Sequence, residues 1–398
     1  EVTGSYEQNT SLMVQAQSSP IIPPTPPASA TPAQPPSGSK SSSVPRYIYI
    51  VTIVLLVLLV GATLLASVLR PPATTATPPP PPVRQMYFQD DAQGINDLLH
   101  IELQNIDPAP TNQTYFAWLN TTGNQSLPLG PLTVQGNNAS LAYEGDGKHT
   151  NLLSIMQGIS ITLENSTGQP STPSNTVVYR GNYDPNVLTQ LKNILYITPD
   201  FPGKQSVAKG LLETIKSMND KAGSIVDVLQ GSHDYEQVRR QATRIIEAVD
   251  GTAYAQSSGD LPPGRAPLLK VPVGLISSAE QPGYIDTLAQ QISLLKQQSG
   301  NNNKLLQHTQ NVENAIVDLN DWIQKIRVDA IQILKADNLA DPAILNTARE
   351  LKQLAADSYT GHVIPPSQAP EPALGSAGAL QAYIESQYAA ALDLQPTK

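Results

Sequence analysis

The sequence predicts a single-pass membrane protein whose body is a small antiparallel β-sandwich followed by an all-α helical bundle. Three observations predict it: one uncharged apolar run near the N-terminus, a stretch of short alternating segments broken by Gly, Asn and Pro, and a C-terminal half in which apolar residues recur every three or four positions. The boundaries that follow are a proline-rich tail over 1–46, a transmembrane helix over 47–69, a proline-rich stalk over 70–90, the β region over 91–183 and the helical bundle over 184–398.

The run YIYIVTIVLLVLLVGATLLASVL carries no charge, and its length matches the roughly 20 residues that a helix needs to cross ~30 Å of hydrocarbon. Tyr47 and Tyr49 stand where an aromatic belt meets the head groups, and Arg46 and Arg70 bracket the span. A buried core helix would show polar periodicity here, and a cleavable signal peptide would start earlier and be shorter. Lys40 and Arg46 on one side nearly balance Arg70 and Arg84 on the other, so the distribution of basic residues does not orient the span. The expectation of an N-terminus inside rests on the usual arrangement of an uncleaved signal anchor, a short tail before a large folded part. The chain opens on Glu1 rather than Met, which leaves processing, trimming or a longer parent open.

The tracts on either side of the span are mostly Pro, Ser, Thr and Ala, and such chains bury too little apolar surface to offset conformational entropy. In polyproline geometry, at about 3.1 Å per residue, the PPATTATPPPPPV tract makes a semi-rigid spacer on the order of 40 Å long. The first tract is a spacer of the same kind, with docking to aromatic-lined adaptor grooves as its rival use.

Composition excludes several functions. A net charge of -9 without clustered Lys and Arg argues against a nucleic-acid partner, because such binding needs cations to displace counterions from phosphate. With no cysteine there is no disulfide, no thiolate zinc site and no Cys nucleophile.

Candidate strands cover 98–103, 115–119, 132–134, 139–143, 159–164 and 176–179. Trp118 is expected at the centre of the small core, filling the space between two sheets, because aromatic residues are few. Gly130 and Gly168 are expected in turns that need unusual backbone angles. Asn9, Asn112, Asn120, Asn124, Asn138 and Asn165 each open an N-x-Ser/Thr triplet, readable as glycan acceptors or as chance in an Asn-, Ser- and Thr-rich stretch.

Three stretches, TYFAWLN at 114–120, LPLGPLTV at 127–134 and ISITLENSTGQPSTPSNTVVYRG at 159–181, resemble the extracytoplasmic domain of anti-sigma-K-type anti-sigma factors. The resemblance spans about residues 95–181, implies a bacterial source and a signalling ancestry, and names no catalytic or ligand residue. In that family a cytoplasmic N-terminal domain, often carrying a His-x3-Cys-x2-Cys zinc motif, wraps the sigma factor. The tail before Arg46 has neither cysteine nor helical periodicity, which puts a sigma-factor partner in doubt for this chain.

From Asp184 the pattern becomes helical. Asp184 and Pro185 make an N-cap and first turn, and Asp341 and Pro342 make another. Val207, Leu211, Ile215, Met218, Ala222, Ile225 and Leu229 line one face of a long helix, and a further helix covers 235–249. After a loop over 259–272, helices follow around 285–295, along the stripe from Leu305 to Ile333, from Asp341 to a stop at Gly361, and amphipathically over about 376–394.

No catalytic, cofactor-binding or metal-binding residues are assigned, and no cofactor is expected. The histidines His100, His149, His233, His308 and His362 have no metal-ligand spacing. His308, on the apolar stripe, is read as a buried, hydrogen-bonded structural residue, with a ligand or pH-sensing role as its rival. Glu313, Asp318, Asp321 and Asp329, alternating with Lys325 and Arg327, read as a solvated face, and Arg239, Arg240 and Arg244 as partners of nearby acids. The expectation is therefore a non-enzymatic, membrane-anchored protein of a bacterial envelope, its C-terminal region extracytoplasmic and used for sensing or interaction with a protein partner. A structural or assembly scaffold of the cell surface is the alternative.

Overall fold

In the computed structural model the described residues are 82–397, apart from 91–93, 202–203, 265 and 280. All of them belong to one unit, Pro80–Lys398. The tail at 1–46, the expected span at 47–69 and the stalk as far as residue 81 lie outside the described residues. Among those described, no helix is long and apolar enough to cross a membrane.

The first element corrects the expected stalk boundary. Strand β1, Arg84–Phe88, forms where a spacer was expected. Its sequence RQMYF alternates, and Met86 and Phe88 are fully buried while Gln85 and Tyr87 face outward, the period-two signature of a half-buried strand. Seven strands follow within the expected β region: β2 Leu99–Leu103, β3 Gln113–Thr121, β4 Ser126–Pro131, β5 Thr133–Gln135, β6 Asn138–Tyr143, β7 Met156–Asn165 and β8 Val177–Asn182. Two very short ones, β9 Leu392–Asp393 and β10 Gln395–Pro396, come at the far end of the chain, where the amphipathic pattern predicts helix as far as residue 394.

All pairings are antiparallel and make two five-stranded sheets. Sheet A has the order β5-β6-β2-β1-β9 and sheet B the order β10-β8-β7-β3-β4. The C-terminal segment closes both: β9 pairs with β1 and β10 with β8, with the Leu394 amide donating to the Arg84 carbonyl between them. Gly181 permits this approach, since a Cβ there would stand 2.6 Å from the Asp393 carbonyl oxygen.

Eight α-helices lie between β8 and β9: α1 Pro185–Leu195, α2 Val207–Gln230, α3 Tyr235–Asp250, α4 Thr252–Ser257, α5 Tyr284–Gln298, α6 Asn303–Lys335, α7 Pro342–Thr360 and α8 Ala379–Ala389. Caps set their starts. Asp184 accepts from the Asn186 and Val187 amides with Pro185 in the first turn, and Asp341 caps α7 in the same way. The long helix α6 packs against α3, α5, α7 and α8. Although 183/184 marks the change from strand to helix, buried side chains from both sheets and from the helices belong to one continuous core.

Trp118 is buried, but not between the sheets. Along β3, Tyr115, Ala117 and Leu119 point into the main core, so alternation sends Phe116 and Trp118 to the opposite face of sheet B. There the two rings pack 4.9 Å apart, and Trp118 Nε1 donates to Thr162 Oγ1, which donates to Glu164. The amide of Ser174, in the β7–β8 loop, donates to the same carboxylate and brings the loop back onto the sheet. Gly130 and Gly168 both have positive φ, but Gly130 lies inside β4 opposite an irregularity in β3, at a bulge rather than a turn.

Candidate functional site

The outward face of sheet A is built by the same alternation that buries Met86, Phe88, Leu99, Ile101 and Leu103. It presents Gln85 and Tyr87 from β1 and His100 and Glu102 from β2, with Gln85 opposite Glu102 and Tyr87 opposite His100 in the register. The Tyr87 ring stacks on His100 at 5.3 Å, and its hydroxyl donates to Glu102 Oε1 at 2.8 Å. Partial burial and this neighbouring carboxylate push the Tyr87 hydroxyl up to about 12.

Helices α6 and α8 raise a wall beside this floor. Lys304 and His308, one turn apart at the start of α6, face Tyr388 from the end of α8. Tyr388 meets Tyr87 edge-to-face at 5.9 Å and packs against His308 in a tilted arrangement at 5.6 Å. Lys304 Nζ donates to Asp393 Oδ1 at 2.8 Å and to Gln85 Oε1 at 3.2 Å. Gln85, Tyr87, Glu102, Lys304, His308, Tyr388 and Ala391 line an open pocket of about 280 Å³. His308 thus lines a pocket rather than lying wholly inside the core. Its Nδ1 is 2.7 Å from Glu385 Oε2, which also accepts from Asn311 Nδ2 at 2.8 Å. Nε2 is the ring nitrogen without a partner among the described residues.

A buried polar network behind the pocket fixes α8 against the β region. Asp90, fully buried just after β1, accepts from the Ile95 and Asn96 amides and, at 2.6 Å, from the Tyr383 hydroxyl. Gln387 donates to Asn96 Oδ1, and Asn96 donates to the Leu195 carbonyl at the end of α1. Burial, followed by the adjacent Asp90, pushes the Tyr383 hydroxyl well above its ordinary value. All three bonds to Asp90 go to Oδ2, while Oδ1 is buried with no partner among the described residues; the bonds through Tyr383 and Gln387 tie α8 to the β region and so fix the Tyr388 wall.

The other histidines are dispersed. His149 Nδ1 is 2.8 Å from Asp97 Oδ2, His362 is 3.3 Å from Asp357, and His233 packs near Tyr235. Among the described residues no group of three or more metal-ligating side chains gathers. The acidic stripe on α6 is less solvated than its spacing predicts. Asp321 pairs with Lys325 and Glu313 with Lys296 near the surface, but Asp318 is buried and accepts from the Gly375 and Ala377 amides. Arg327 forks onto buried Asp250 and reaches Asp260, because the loop after α4 folds back over that part of α6. Of the three arginines on α3, Arg240 reaches Asp234 at 3.7 Å. Arg239 instead donates to the Leu334 and Ala336 carbonyls at the C-terminal end of α6, where a helix terminus presents carbonyls needing donors. Among the asparagine triplets, Asn112, Asn124, Asn138 and Asn165 are exposed, Asn120 is half-buried and bonded to Ser160 and Ser126, and Asn9 lies outside the described residues.

Sequence reasoning singled out only His308 among the residues around this pocket as a side chain with a possible ligand role. Tyr87 fell in the assumed stalk, where the five-residue alternation of RQMYF was the available signal. Tyr388 and Lys304 join it only through tertiary packing. Comparison of the chain with family models, with curated proteins and with solved structures finds no match.

Proposed function

We propose that this chain is a membrane-anchored protein of a bacterial envelope whose described body is a non-catalytic extracytoplasmic sensing or interaction module, its sheets forming an anti-sigma-like β-sandwich and its helices a bundle. One observation carries the reading. β1, the first strand among the described residues, supplies Gln85 and Tyr87 to the pocket, so a ligand held there touches the described strand nearest in sequence to the segment read as the anchor. The lining supports binding: it offers two tyrosine rings, one amide and charges of both signs.

Cell fractionation of a bacterium expressing the full chain tests the proposal. The expected result is sedimentation with membranes, release by detergent, and digestion of the body when protease is added outside spheroplasts. Recovery of the intact chain in the soluble fraction without detergent contradicts it.

A further inference from the structure

Beyond the pocket, the outward face of sheet A continues as an open floor. The register places Asp393, Gln85, Glu102, Ser140 and Thr133 side by side in one row across all five strands. At ordinary strand spacing that row is about 19 Å long. Its far half forms a second open pocket of about 260 Å³, to which Glu102, Gln104, Thr133, Gln135, Asn138 and Ser140 contribute; Glu102 belongs to both pockets and joins them into one groove. One end carries the Tyr87 and Tyr388 rings; the rest carries amides, hydroxyls and a carboxylate.

We infer that this groove binds a linear polysaccharide, with one sugar ring against Tyr388 and Tyr87 and the following rings laid along the polar row. The inference rests on the envelope reading above for its setting and on the groove for its chemistry. A sugar ring presents weakly positive C–H bonds on its faces, which suit the negative face of an aromatic ring. Around its rim it presents hydroxyls that both donate and accept, and these match planar amides and carboxylates, which can engage two neighbouring hydroxyls at once. A nucleic acid would find two carboxylates, Glu102 and Asp393, against one cation, Lys304, which already pairs with Asp393. An extended peptide adds to a sheet at its edge through backbone groups, whereas this surface is a face made of side chains.

The test titrates the full chain, in a detergent without a sugar headgroup, with tetrasaccharides of β-linked glucose, β-linked N-acetylglucosamine, α-linked glucose and β-linked mannose, followed by calorimetry. At least one is expected to bind with Kd in the ~0.1–1 mM range or tighter. Tyr388→Ala then weakens binding about tenfold, the loss of a central aromatic contact. Ser140→Trp, at an exposed position fourth of the five along the row, lowers tetrasaccharide affinity to that of the disaccharide and keeps the inference testable if Tyr388→Ala fails to fold. Arg180→Gln, on the other sheet, changes nothing. No binding of any tetrasaccharide at ~10 mM, or equal affinity in wild type and the Ser140→Trp variant, overturns the polysaccharide assignment. The envelope reading falls separately, through recovery of the chain in the soluble fraction, whatever the titration gives.

Discussion

The two sheets treat their outward faces in opposite ways. On sheet B the outward face is a small second core: Phe116 and Trp118 are buried under the chain's own β7–β8 loop, and the indole N–H is matched by Thr162 and Glu164. On sheet A the corresponding face is left open, with Tyr87 and His100 partly exposed and polar side chains aligned from strand to strand. Where a face is covered, its aromatic residues serve stability; where it is open, their exposure calls for another account, and ligand contact supplies one.

The largest expected effect tests the covered face. Trp118→Ala empties a fully buried site and removes the indole donor to Thr162, so unfolding in urea should show a loss of about 3–5 kcal/mol; a loss below about 1 kcal/mol would mean that the loop does not seal that face. Next comes the seam where the two sheets are closed. Leu394→Ala, beside the two terminal strands, should cost about 2–3 kcal/mol, measured in the same way, because the Leu394 side chain is 1 % exposed and packs in the core between the sheets.

The contrast between satisfied and unsatisfied polar groups extends into the helices. Asp329 on α6 is partly buried, its Oδ2 has no partner, and burial followed by repulsion from Glu350 pushes its carboxyl up from 3.8 to about 6. The folded state therefore holds this proton more tightly than the unfolded chain, so stability falls as pH rises through that interval and the cost stands in full above it. Asp329→Asn should stabilise by about 1 kcal/mol at pH 8, less than a dry core would give because solvent reaches the group. Thermal melts at about pH 4 and pH 8 check this: a gain of about 2 °C at the higher pH and none at the lower.

The smallest stability effects belong to the open face. Ser140→Trp and Glu102→Gln should each change unfolding free energy by no more than about 0.5 kcal/mol. A large loss for either would make that face structural and erase the contrast with sheet B.

Helices were the more legible half of this fold. Capping pairs such as Asp184–Pro185 and Asp341–Pro342, with apolar stripes several turns long, repeat enough local signal to place α1, α2, α3, α5, α6 and α7 to within a few residues. Short elements were not: α4 has only six residues, and β9 and β10, of two residues each, are set by pairing with the distant strands β1 and β8. Trp118 shows a different limit. The sequence points to burial of the Trp118 ring, but which side of β3 it occupies depends on register, and one residue of shift moves it from one face to the other. The pocket was legible only in His308, because Gln85, Tyr87, Glu102, Lys304 and Tyr388 come from four separate elements whose convergence is a property of the packed chain.

The most direct test is amide hydrogen exchange across the full chain, with and without the tetrasaccharide that binds best. The account predicts slowed exchange confined to the strands of sheet A, the first turns of α6 and the end of α8. Protection centred on β3, β7 and β8, or none anywhere at saturating sugar, would contradict it.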